Sequence, residues 1–329
     1  MRKMNNLEYS FLADELARGL VGKHFGRMRK LGENTYRMKI GSFEVLCELG
    51  VRIHLTKYLT ESDSSDKFSE KLGKELDNAK LLAVEQVNKD RILSFVFDKG
   101  TLVFEMFGNG NAVLVRGGAT VCAHRYESWS DREIKAGAAY SSPRNVPSDK
   151  VEAGDRYIIV SLTKLPLGKE YALEALARLG IDEKTPGTSL SGNKLLSIEQ
   201  EIAKIRSGAK PYGFFDGARM EDFALTMLSK HKALEAREFP SLSDAIDEYY
   251  SKLEAPNPKL EKLTERLAKQ AERVALLEAE EKEYRARGDY IYEKYAEAER
   301  AIALAKAGKF EELGEAKIDK KEKSVEIEL

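Results

Sequence analysis

Cysteine is nearly absent: Cys47 and Cys122 are the two in 329 residues. A disulfide framework and a cysteine-ligated zinc site are both excluded by that count. Each cysteine sits among apolar neighbours in strand-like text and reads as a buried thiol. Long apolar runs are missing too. None approaches the roughly 20 residues that a membrane-spanning helix requires. The opening Met1-Arg2-Lys3-Met4-Asn5-Asn6 leads into Leu7-Glu8-Tyr9, with charge where a signal peptide needs an apolar stretch. A cytoplasmic protein without a membrane partner is expected. Charge of one sign is also lacking, since 54 Lys and Arg meet 55 Asp and Glu for a net charge of −1. The distribution is only mildly uneven: 24 basic against 20 acidic residues in 1–150, and 30 against 35 in the remainder. A solvated face explains that asymmetry as well as a phosphate-binding patch does. No glycine loop followed by Lys and Ser/Thr cradles a phosphate, and His24, His54, His124 and His231 lie far apart, so no catalytic or cofactor motif stands out. No cofactor and no metal are expected.

What is present is patterned. Tyr9, Leu12, Leu16 and Leu20 fall near one face of a helix over 7–20, which Gly22 can end. Strands follow at 35–40, 43–49 and 51–56, with Gly41-Ser42 as a hairpin turn. A polar loop at 61–67 and a short helix at 68–76 precede strands at 81–87, 92–97, 101–107, 112–115 and 120–123. About eight short strands and one leading helix predict a two-layer β-sandwich with flanking helices. A linker is placed at 141–156. Beyond it, helices are read at 169–179, 198–207, 220–228 and 239–253. Short helices joined by glycine turns are the text of a helix-hairpin-helix module, and equally of small helical domains unconnected with nucleic acid.

From Lys259 the chain reads as one long helix. Heptads counted from Leu260 put apolar residues at eleven of fourteen a and d positions as far as Ala305, the mark of a coiled coil. Gln270, Glu281 and Gly288 interrupt the seam, and Gly288 is the expected place for a bend. Val325, Ile327 and Leu329 alternate like the start of a strand. A truncated chain, or a seam covered by another molecule in a homodimer, would each account for a helix without a partner.

Several segments together resemble the NFACT family, the fibronectin-binding protein A-like factors of ribosome quality control. They are Leu7-Glu8, Arg52-Ile53-His54-Leu55-Thr56, Asp90-Arg91-Ile92, Glu105-Met106-Phe107-Gly108-Asn109-Gly110-Asn111, Tyr140 with Pro143, the stretch Phe239-Pro240-Ser241-Leu242-Ser243-Asp244 and onward to Tyr250, and Tyr284-Arg285-Ala286-Arg287-Gly288-Asp289-Tyr290-Ile291-Tyr292. Their order and spacing span nearly the whole chain. The resemblance implies an α+β architecture in three parts. Residues 1–150 would be a domain similar to formamidopyrimidine-DNA glycosylases, 151–254 a helix-hairpin-helix domain, and 255–329 the first half of a coiled coil with the start of a middle domain. It further implies an RNA-binding factor that engages the large ribosomal subunit with its rRNA, together with tRNA. Such a factor promotes mRNA-independent C-terminal tailing of a stalled nascent chain, while the ribosome performs the chemistry.

The resemblance singles out Asp90 and Arg91 as the tRNA contact. Arg91 can fork to a phosphate or stack on a base, and Asp90 can orient it; a turn Asp beside a surface Arg is the plainer alternative. Glu8, where the family usually carries Asp, would join them, or would only favour the start of its helix through the dipole. Arg52, His54 and Thr56 share one strand face, which is either an RNA contact or the solvated side. Asn109 and Asn111 make a tight turn or touch RNA. A glycosylase-like enzyme would need an N-terminal proline amine beside a Glu, and positions 2 and 3 are Arg2 and Lys3. A non-catalytic binding factor is therefore expected, with a coiled-coil scaffold as the third class.

Overall fold

The computed structural model describes residues 2–59, 64–143, 148, 150–251, 258–314, 316–319 and 324–327. Two compact units emerge, Met1–Glu254 and Ala255–Leu329.

In the first unit, α1 (Asn6–Leu20) starts where local chemistry dictates. The Asn5 side chain accepts from the Glu8 N–H at 3.2 Å, and the Glu8 carboxylate accepts from the Asn5 N–H at 2.9 Å, a reciprocal cap. Tyr9, Leu12, Leu16 and Leu20 are fully buried along one face. Strands β1 (Phe25–Lys30), β2 (Thr35–Ile40), β3 (Phe43–Glu48) and β4 (Arg52–Leu55) form an antiparallel meander. The sequence pattern missed β1 because its register shifts between Phe25 and Arg27, and this bulge breaks the period of two. Helix α2 (Lys67–Glu75) is capped by Asp66. A second meander runs through β5 (Leu81–Gln86), β6 (Ile92–Phe97), β7 (Gly100–Glu105), β8 (Asn111–Arg116) and β9 (Ala119–Ala123). A small hairpin, β10 (Glu127–Ser128) and β11 (Glu133–Ile134), follows. Both meanders feed one hydrophobic core; Phe25 of β1 meets Phe97 of β6 edge-on at 5.9 Å. Cys47 and Cys122 are buried free thiols within it.

Helices α3 (Ile158–Leu162), α4 (Lys169–Arg178) and α5 (Gly192–Ser207) come next. The helix expected over 220–228 is a strand. Strands β12 (Tyr212–Asp216), β13 (Arg219–Ala224) and β14 (Glu235–Glu238) make an antiparallel sheet in the order β13-β12-β14. Gly217-Ala218 turns the hairpin, with Gly217 at φ 58°, a signal that the helical reading of this region passed over. Helix α6 (Leu242–Ser251) then packs back on β4 and β13. The expected linker lies partly outside the described residues.

In the second unit, α7 (Pro258–Glu293) passes unbroken through Gly288 and stops six residues later at Lys294, where α8 (Tyr295–Lys306) begins. The interruption expected at Gly288 is thus displaced; nothing crowds that glycine and its φ is not positive. Strands β15 (Ala316–Asp319) and β16 (Ser324–Ile327) pair antiparallel. The described residues contain no helix long and apolar enough to cross a membrane.

Candidate functional site

The β5–β6 turn is built by two consecutive left-handed residues, Asn88 at φ 52° and Lys89 at φ 53°. The Asp90 N–H donates to the Val87 carbonyl at 2.9 Å and closes it. A non-glycine residue such as Lys89 holds this conformation only at a cost, which is the kind of strain that accumulates at functional sites. The turn delivers Asp90 and Arg91 to the strand entry. Asp90 is 7% exposed, and its Oδ1 accepts from the Arg91 N–H at 2.7 Å. The Arg91 guanidinium, among the described residues, makes no hydrogen bond or ion pair.

Asp90 and Arg91 line a groove of about 930 Å³ together with the N-terminal residues Arg2 to Asn6 and the α3–α4 turn. That turn supplies Lys164, Gly168 and Lys169. Gly168 stands at φ 99°, and a Cβ there would come within 2.7 Å of Asn5. The starts of α1 and α4 therefore abut, and both line the groove. The lining carries five cationic side chains, Arg2, Lys3, Arg91, Lys164 and Lys169, against the carboxylates of Asp90 and Glu170.

Glu8 lies beneath this surface at 0% exposure. Its Oε1 accepts from Arg2 Nη2 at 2.5 Å and from the Tyr171 hydroxyl at 2.9 Å. Arg2 in turn lies 3.7 Å over the Phe223 ring, with Nη2 3.1 Å from Glu170. Its Nε is 2.8 Å from Asp222 Oδ1, close enough for charge attraction although off the hydrogen-bonding direction. Burial works against the charge on Arg2, but Glu8 and Asp222 outweigh it and hold the guanidinium cationic. For Asp222, burial also opposes the charge, and Arg2, His231 and Lys230 override it to keep the carboxyl below its usual range. Glu8 is thus a buried node that fixes the groove wall, and the expectation that it faces RNA beside Asp90 is corrected accordingly. Arg2, Tyr171 and Asp222 escaped the sequence reading because they meet across more than 160 residues.

Two further expectations change. Arg52 and His54 are 4% and 0% exposed, so their strand face is neither solvated nor open to RNA. Helix α6 covers it: His54 Nε2 lies 2.8 Å from Asp247 Oδ1, and Arg52 sits 3.9 Å over the Tyr250 ring. Burial lowers the His54 pKa despite Asp247, which favours the neutral ring. Asn111 is 2% exposed, its amide tied to the backbone of Ala112 and Arg125. In its loop the positive φ values belong to Gly108 and Gly110, while Asn109 is exposed.

Comparison with known proteins gives a family and a fold. The family model described as NFACT N-terminal and middle domains matches residues 10–328. The archaeal Rqc2 homolog aRqcH of Methanocaldococcus jannaschii is 30% identical over 292 residues, covering 78% of this chain and 44% of that protein. The human ribosome quality control complex subunit NEMF is 22% identical over 307 residues, covering 77% of this chain and 28% of its own length. The chain spans less than half the length of these relatives. Among solved structures, the fibrinogen binding protein from Staphylococcus aureus aligns at a TM-score of 0.57 with 16% identity, over 75% of this chain and 98% of that one. The N-terminal part of the fibronectin/fibrinogen-binding protein from Streptococcus suis gives the same TM-score at 19% identity, over 76% and 100%. At those identities the likeness is one of fold.

Proposed function

The chain belongs to the NFACT family, and from that premise we propose that it is a cytosolic, non-catalytic RNA-binding factor of ribosome quality control. It binds the large ribosomal subunit through rRNA and holds tRNA in the groove between the β5–β6 turn and the α3–α4 turn, promoting mRNA-independent extension of the stalled chain. One observation carries this reading. The Arg91 guanidinium, unpaired among the described residues and placed beside two helix N-termini and the cations Lys3, Lys164 and Lys169, is suited to a phosphodiester. Asp90 restrains the backbone that aims it. Binding is favoured over catalysis because the carboxylate nearest the N-terminus, Glu8, is already engaged by Arg2, Asn5 and Tyr171. The proposal includes self-association through the long helices, where Leu267, Val274 and Ile302 stand in solvent.

Reversing the charge with Arg91→Glu tests it. At one fixed salt concentration tRNA affinity should fall at least tenfold with the melting temperature unchanged, because a phosphate contact is replaced by repulsion. Equal affinity for both proteins would remove Arg91 from the site. Co-sedimentation with purified large subunits tests the ribosomal part independently.

A further inference from the structure

Trp129 is the sole tryptophan of the chain, and it is 42% exposed. It stands at the tip of the β10–β11 hairpin, whose strands are two residues each and whose turn is closed by the Trp129 N–H donating to the Arg132 carbonyl at 2.8 Å. So short a hairpin has little pairing of its own. It is anchored from below: the Arg132 guanidinium forks onto the Glu105 carboxylate at 2.6 and 2.8 Å, and Glu105 is 1% exposed. The Tyr140 hydroxyl donates to the same carboxylate at 2.9 Å. Above that fork the guanidinium lies 4.3 Å from the indole centre. One face of the indole is thereby fixed by a buried ion pair, and a side chain that would lose freedom on binding has lost it already.

The indole walls a cavity of about 360 Å³ whose other sides include Phe107, Asn109, Glu127, Asp131 and the Arg132–Glu105 pair itself. Arg132 lies over one face of the indole and also over the Phe107 ring at 6.0 Å, so the stacking surface left is the other face of the half-exposed Trp129. That face, with an amide and two carboxylates among the lining side chains, matches a planar heterocycle whose exocyclic N–H groups donate to those oxygens. Glu127 and Asp131 would repel a phosphate, so the group that enters must be splayed away from its backbone. The backbone has a place to go. Lys3, which lines the cationic groove, donates to the Gly108 carbonyl at 3.1 Å, so the loop that borders this cavity is tied to the groove wall.

We propose that the Trp129 cavity takes one unpaired nucleobase of single-stranded or loop RNA, stacked on the indole, while the adjacent groove holds the neighbouring phosphates. The inference rests on the RNA-binding reading and adds to it a second, base-stacking contact outside Asp90 and Arg91.

The sole tryptophan reports on its own site. The full chain is titrated with a short single-stranded RNA containing all four bases, and with the same RNA annealed to its complement. The single strand should quench Trp129 emission to saturation and the duplex should not. In Arg91→Glu the affinity should drop while the quench at saturation persists. With fluorescein-labelled RNA, Trp129→Ala should weaken binding roughly tenfold, the scale of one lost base stack. Trp129→Phe, which keeps a ring, should stay within about threefold of the parent, since part of the stacking surface survives. Saturable RNA binding without quenching, or unchanged affinity in Trp129→Ala, would overturn the cavity assignment and leave the groove intact. No binding of either RNA would remove both. Quenching by a lysine-rich peptide but not by RNA would make the cavity a protein site.

Discussion

Glu8 shows what a single residue can be asked to do here. It closes the cap of α1, pairs with Arg2 and accepts from Tyr171, all without contact with solvent. Glu8→Ala removes the cap of α1, the acceptor of Tyr171 and one of three carboxylates around Arg2, with Asp222 and Glu170 remaining, so it should lower stability by about 2–4 kcal/mol in urea denaturation. A loss below about 1 kcal/mol would show that solvent reaches Arg2 and that the node is not structural. Asp66 offers a pH readout. Burial opposes its charge, but the Ser69 N–H, the Tyr36 hydroxyl and Lys30 outweigh that and bring its carboxyl down to about 2, from an ordinary 3.8. The unfolded chain then binds more protons in that window. The stabilisation is complete above the ordinary value and is lost as pH falls through the folded one. Stability should therefore decline between pH 3.8 and 2, less steeply in Asp66→Asn. Matching slopes for the two proteins would take Asp66 out of the account.

At the scale of elements, two glycines in left-handed turns carry different constraints. Gly110 holds φ 68°, and a Cβ there would lie 2.1 Å from the Gly50 nitrogen and 2.5 Å from the Leu49 carbonyl carbon. Gly217 holds φ 58° with nothing within 4 Å. Gly110→Ala must displace backbone as well as strain it and should cost about 2–4 kcal/mol. Gly217→Ala meets only the left-handed penalty, about 1 kcal/mol. Chemical denaturation of the two variants gives the comparison, and equal losses would mean that the β3–β4 and β7–β8 loops yield to each other.

At the scale of the molecule, the unit Ala255–Leu329 keeps its apolar seam in solvent. Leu267 is 66% exposed, Val274 53%, Leu277 47% and Ile302 56%. A contiguous apolar stripe of this kind seldom persists on a monomer. We expect light scattering at micromolar concentration to report the mass of a dimer, with Leu267→Lys and Val274→Lys shifting it toward the monomer. A monomer at all concentrations with undiminished helical signal would show that the charged flanks suffice to keep the seam wet.

The sequence by itself determined α1, α2, most of the two meanders and the family, because caps, alternation and turn residues act within a few positions of one another. It also placed Asp90 and Arg91 at a strand boundary, between the strands read at 81–87 and 92–97. It did not determine β1, whose bulge breaks the period that reveals a strand, or the sheet of β12 to β14, whose Gly217-Ala218 turn lay between segments read as helices at 198–207 and 220–228. The sites divide in the same way. That Arg52 and His54 share a face followed from the period of a strand, but which side of that face is wet depended on α6, some 190 residues later. Tertiary structure alone decided that Glu8 is sealed and that Arg2, Lys164 and Lys169 join Arg91 at one groove. It also decided that Arg132 holds Trp129 over a cavity. Burial and convergence are set by which distant surfaces exclude water together, and no local pattern of residues encodes that.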